Sequence, residues 1–148
     1  MSFEVKSLAA LTLLCTFTAA LFGFGSGVLS FQSAYEETGR EALIQLARLI
    51  VYVALAVLLV YKGRWKGVAA ALVMILAATA IEWALLPVSY SWASLGDPQG
   101  YAERFGGVER PTYIQWAIFD VIGVGVSAAF AQGLRIIATA NPANKDDW

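Results

Sequence analysis

Four apolar runs, at about 8–31, 42–61, 68–90 and 113–136, take up most of this 148-residue chain. Each is at or near the roughly 20 residues that a helix needs to cross a bilayer. In lipid every backbone amide must find its partner within the protein, which an α-helix achieves inside one segment and a lone strand does not. The expected fold is therefore all-α: a bundle of four transmembrane helices forming a single domain over 1–148. Composition agrees, with 59% of residues hydrophobic and 14% charged, against roughly 45–50% and about 25% in a soluble domain. The N-terminal run reads as a retained span. It is long, follows Glu4 and Lys6, and ends in GFGSGVLSF with no clear small-residue cleavage site.

The residue inventory removes whole classes of function. There is no histidine and one cysteine, Cys15, so the usual ligand sets for zinc, copper, haem and iron–sulfur clusters are missing. Ser-His-Asp and Cys-His catalysis go with them, and no nucleophile elbow or phosphate loop is present. Neither a metal site nor a catalytic residue is assigned, and an enzyme is disfavoured. Ten Lys+Arg nearly cancel eleven Asp+Glu, which leaves no basic field to recruit nucleic acid. No cofactor is implied, although the aromatic side chains leave room for a bound lipid or pigment.

Loop charge sets the expected orientation. The turn at 62–66 carries Lys62, Arg64 and Lys66 without an acid, which places it in the cytoplasm by the positive-inside rule. The connection at 32–41 holds Glu36, Glu37 and Glu41 against Arg40, and the loop at 91–112 holds Asp97, Glu103 and Glu109 against Arg104 and Arg110; both are expected outside. An even number of spans then puts both termini inside, in keeping with Lys6, Arg135 and Lys145. Short loops without N-x-S/T sequons fit a bacterial cytoplasmic membrane. The middle of the long loop, 101–105, is expected to form a short helical turn at the interface, and the tail 141–148 to lie outside the bilayer. Tyr61, Trp65, Tyr90, Trp92, Tyr113 and Trp116 fall at the predicted boundaries and read as headgroup-level anchors.

Three ionisable residues lie inside the runs: Arg48, Glu82 and Asp120. A charge at the centre of a spanning helix costs about 2.5–3.5 kcal/mol on insertion scales, so each needs a partner, water or the interface. Arg48 is six residues after the start of its run, Glu82 eight before the end of its own, and Asp120 seven after the start of its own. At 1.5 Å per residue, all three lie ~9–12 Å below the exterior boundary. The shared level predicts an Arg48–Glu82–Asp120 cluster. Polar neighbours are expected on the same inward faces: Glu41, Gln45 and Tyr52 around Arg48, Thr79 and Ser89 around Glu82, and Trp116, Ser127 and the nearby Gln115 around Asp120.

The first run carries no charge, but Ala19, Gly23 and Gly27 recur every four residues, the small-residue spacing that lets helix backbones approach closely. Gly123 invites a similar approach in the fourth run. Pro87 lacks the amide that would bond to the Trp83 carbonyl, so a kink is expected near Trp83.

One guanidinium against two carboxylates leaves a formal charge of −1, so the cluster is expected to hold a proton, bind a cation or stay wet from outside. If the proton is fixed, the cluster is structural glue that specifies helix register. A mobile proton would make the chain a small proton- or cation-coupled transporter or channel component using Glu82 and Asp120. A carboxylate facing a lipid-sized pocket would make it a membrane-embedded binder or isomerase of a hydrophobic ligand. Conduction is opposed by 53–60 and 68–76, which are almost wholly apolar. The favoured expectation is a small integral membrane subunit with a structural, accessory role in a larger membrane protein complex. Its partners would be membrane lipids and either other integral subunits or further copies of itself.

Overall fold

The computed structural model describes residues 3–35, 39–94, 97, 99, 103 and 110–140. The interfacial turn expected at 101–105 falls outside these residues apart from Glu103, and the tail 141–148 falls outside them entirely. Four helices account for nearly everything described: α1 (Phe3–Tyr35), α2 (Glu41–Gly63), α3 (Trp65–Ala93) and α4 (Arg110–Ala140). Each is long and apolar enough to cross a membrane. All four overrun the apolar runs, because hydropathy marks only the lipid-matched part of a helix. The 33 residues of α1 span about 50 Å at 1.5 Å per residue, whereas the hydrocarbon core of a bilayer is about 30 Å thick. Neither the glycines of α1 nor Pro87 interrupts its helix.

A single residue joins α2 to α3. Arg64 takes a left-handed φ of 54°; its N–H closes α2 on the Val60 carbonyl at 2.8 Å, and its own carbonyl accepts from Val68 N–H at 3.1 Å. The reversal is this tight because Gly67 has no side chain. A β-carbon there would overlap the backbone of Leu59 and Val60. Arg135 on α4 donates to the Val60 carbonyl at 3.3 Å and the Tyr61 carbonyl at 2.6 Å. A cation thus sits on carbonyls of the last turn of α2, the negative end of the helix dipole.

Helices α2 and α3 pack against each other and against both remaining helices, so α1 and α4 lie on opposite sides of this central pair. Directions follow from individual contacts. Gln45 meets Ser30 while Gly63 meets Leu8, so α1 and α2 are antiparallel. Thr79 meets Tyr113 and Leu72 meets Gly125, so α3 and α4 are antiparallel too. One end of the bundle therefore carries Gly39 and Arg40 and the other carries Arg64.

Buried positions step by three and four along each helix, for example 45, 48, 52, 56 and 59 on α2 and 67, 71, 74, 78, 82, 86 and 89 on α3. That spacing is the seam of coiled-coil-like packing. The polarity of the two surfaces is the reverse of a water-soluble bundle. Leu13, Phe17, Ile50, Val73, Phe119 and Phe130 are well exposed, while Arg48, Glu82 and Asp120 are buried. Apolar surface on this scale marks contact with lipid or protein.

Candidate functional site

The chain brings Arg48, Glu82 and Asp120 into one cluster at the centre of the bundle. Arg48 Nη1 donates to Glu82 Oε2 at 3.4 Å, and Arg48 Nη2 donates to Asp120 Oδ2. The three residues are 2%, 5% and 4% exposed, so the pairing is sheltered from the screening that weakens surface ion pairs. Helices α2, α3 and α4 each contribute one member. The cluster therefore joins three helices through charge-assisted bonds.

Two tyrosines complete the shell of Glu82. The Tyr52 hydroxyl donates to Oε1, and the Tyr52 ring lies under the Arg48 guanidinium with 5.8 Å from Cζ to the ring centroid. Cation–π attraction is added there to the hydrogen bond. The Tyr113 hydroxyl is 3.3 Å from Glu82 Oε2 and 3.1 Å from the Thr79 carbonyl. A hydroxyl carries one hydrogen, so these two acceptors share it. Helix α1 contributes space rather than a group: a β-carbon on Gly23 would overlap both the Glu82 carboxylate and the Tyr52 hydroxyl.

The remaining expected residues divide. Gln45 is buried and donates Nε2 to Ser30 Oγ at 2.9 Å, tying α2 to α1 one turn from the cluster. Thr79 takes part through its backbone carbonyl. Ala19 is fully buried, as close packing requires. Gly27 is not needed for close approach, since a β-carbon there would be 3.7 Å from Ser89 Oγ, an ordinary contact. A β-carbon on Gly123 would press on the flexible Leu49 side chain at 2.8 Å. Gln115 is exposed and takes no part. Five residues separate it from Asp120, which at 3.6 residues per turn puts it about 140° around the helix. Helix α3 continues through Pro87, whose carbonyl accepts from Ser91 Oγ at 2.9 Å.

Sequence reasoning assigns Tyr113 to the membrane boundary, yet it belongs to the site. Its position seven residues before Asp120, two turns away on the same face, is the signal for that role. Gln132, buried on α4 with Oε1 lacking a protein partner, is a polar core residue outside the expected set, as are Ser26, Ser33 and Ser94. An apolar groove of about 480 Å³ opens between α3 and α4, with Trp83, Tyr113, Ile118 and Ile122 in its walls. Tyr113, whose ring packs on Trp83 with centroids 5.6 Å apart, separates this groove from Glu82. Among the described residues, no group of three or more His, Cys, Asp or Glu side chains could hold a metal ion. Comparisons with protein-family models, with curated proteins and with solved structures give no match.

Proposed function

We propose that the chain is a small integral membrane subunit that acts by binding, as a structural and accessory component of a larger membrane complex. In this reading it sits in a bacterial cytoplasmic membrane with its termini and the Arg64 turn inside, the orientation favoured by Lys62, Arg64 and Lys66. The observation that carries the proposal is the mutual engagement of the buried charges. Arg48 is bonded to carboxylates from two other helices, and Glu82 is bonded in addition by Tyr52 and Tyr113. Such a network holds helices in one register, the best-attested role of buried ionic groups.

With the register held, the bundle presents two apolar outer faces, on α1 and α4, to lipid or neighbouring subunits. Gly133 on α4 has open space around the position of its missing β-carbon, which leaves room for another backbone to approach. Conduction by this chain alone is opposed by the fully buried apolar side chains between the cluster and Arg64, among them Ala19, Ala56, Met74 and Ala78.

The test is extraction from native membranes in a mild detergent. Partners at fixed stoichiometry, lost on Gly133→Leu while the helical content and melting of the chain stay unchanged, are expected. Recovery of the wild-type chain as a lone, stable monomer would overturn the reading.

A further inference from the structure

The buried side chains are sorted by chemistry along the bundle. From the cluster toward Arg64 they are apolar, comprising Cys15, Ala19, Ala20, Ala56, Leu59, Val60, Ala71, Met74, Ile75, Ala78, Val124 and Ala128, with Gln132 the exception among the described residues. Toward the end carrying Arg40 they are Ser26, Ser33, Gln45, Ser89 and Ser94, with Leu86 as the apolar exception among the described residues.

Ser33, Gln45 and Ser89 mark the seams of α1 with α2 and α3, and Ser33 Oγ accepts from the Arg40 N–H at 3.0 Å. Ser30 and Gln45 are bonded across α1 and α2, and Gly27 faces Ser89 across α1 and α3. Ser26, whose Oγ donates to the Gly23 carbonyl at 2.9 Å, adjoins the position where the Glu82 carboxylate rests against α1. A file of hydroxyls thus descends to the carboxylate.

Two buried atoms beside the seam have no partner, Gln45 Oε1 and Arg48 Nε, on residues only 7% and 2% exposed. They belong to residues three apart on α2 and therefore to one face. One is an acceptor and the other a donor, so a water that accepts from Nε–H and donates to Oε1 satisfies both. Buried polar atoms without a protein partner are where internal waters are found.

We propose that this seam is a water-filled path that enters from the end carrying Arg40 and stops below the cluster, and through which Glu82 takes up one proton. The proposal goes beyond the structural reading, because the helices stay clamped whether the seam is wet or dry. The groups facing Glu82 are Arg48 and Tyr52 from α2 and Asp120 and Tyr113 from α4; α1 presents only the uncharged Gly23 and Ser26. With Glu82 itself the set carries one positive and two negative charges, so a single proton makes the cluster neutral. Glu82 is the acceptor because its carboxylate, unlike that of Asp120, lies against α1 at Gly23, where the seam ends. In the step, a hydronium at the foot of the water file gives its proton to a Glu82 oxygen and remains as water. The apolar layer of Ala19, Ala56 and Ala78 has no hydroxyl to carry the proton onward.

Radiolytic hydroxyl-radical footprinting of the full chain in lipid nanodiscs tests the water. Radicals form where water is held, so Tyr52 and Leu86 are expected to be labelled while Met74, more readily oxidised but buried in the apolar half, is not. Infrared difference spectroscopy in the same nanodiscs tests the proton. A carboxylic C=O band is expected in wild type, shifting in D2O, lost in Glu82→Gln and retained in Ser89→Ala. Labelling of Met74 at the level of Tyr52, unlabelled Tyr52 and Leu86, or no band lost in a folded Glu82→Gln would each overturn the proposal.

Discussion

The Glu82 carboxylate rests in the space where a β-carbon on Gly23 would stand. A glycine in the middle of a helix costs about 1 kcal/mol against alanine, so its presence here reflects what it makes room for. Gly23→Ala pushes the carboxylate away from α1 and strains its bonds to Tyr52 and Arg48, at a cost of about 1–3 kcal/mol by the usual scale of overpacking. Gly27→Ala, about one turn further along α1 and with its nearest neighbour, Ser89 Oγ, at 3.7 Å, is expected to be neutral or slightly stabilising. Unfolding of both variants by SDS in mixed micelles checks the contrast, and equal losses would place Glu82 elsewhere.

The two tyrosines on Glu82 are expected to differ in weight. Tyr52 is fully buried and its hydroxyl donates its one hydrogen to Glu82. Tyr52→Phe removes that bond and leaves a buried oxygen of Glu82 without it, at a cost of about 1–3 kcal/mol. Tyr113 is half-buried and divides one hydrogen between two acceptors at 3.1 and 3.3 Å, so Tyr113→Phe costs less. The same micelle titration orders the pair, and a larger loss for Tyr113→Phe would reverse the assignment.

At the opposite end, Arg135 holds α4 against the last carbonyls of α2. Arg135→Gln is expected to loosen that end without touching the cluster, costing about 0.3–1 kcal/mol. Trypsin cleavage after Lys62, Arg64 or Lys66 would accelerate, while the unfolding midpoint moves little. Cleavage at an unchanged rate would mean that Arg135 is dispensable for the turn.

Much of this arrangement is legible in the sequence, for a physical reason that also marks the limit. A charge inside an apolar run is expensive, so Arg48, Glu82 and Asp120 announce themselves, and counting residues from the ends of their runs places them at one level. Periodicity adds Gln45 and Tyr52 on the face of Arg48. What spacing does not encode is the identity of the neighbour across a seam. Gly23 reads as a site of backbone approach, but a side chain fills its space. Tyr113 reads as a boundary aromatic because ring composition is the same in both roles, and only its seven-residue offset from Asp120 separates them. Thr79 contributes a carbonyl, which every residue has and no composition can single out.

The coupling between Arg48 and Glu82 gives the sharpest test of the cluster. Arg48→Leu leaves two buried carboxylates facing each other without their cation, and breaking a buried pair in this way costs about 3–5 kcal/mol. Adding Glu82→Gln removes one of the stranded carboxyl groups while keeping an amide whose single oxygen can still accept from Tyr52. The double variant is therefore expected to be more stable than Arg48→Leu alone, and a third change, Asp120→Asn, to recover more. Non-additivity of this sign belongs to residues that share one network, whereas sites without a common partner add within about 0.3–0.5 kcal/mol. A double-mutant cycle read by reversible unfolding in mixed micelles measures it directly. Because the comparison is between variants that both lack Arg48, loss of the guanidinium's packing cancels, and what remains is the penalty of the unpaired carboxylate. Strict additivity would mean that the two side chains do not meet.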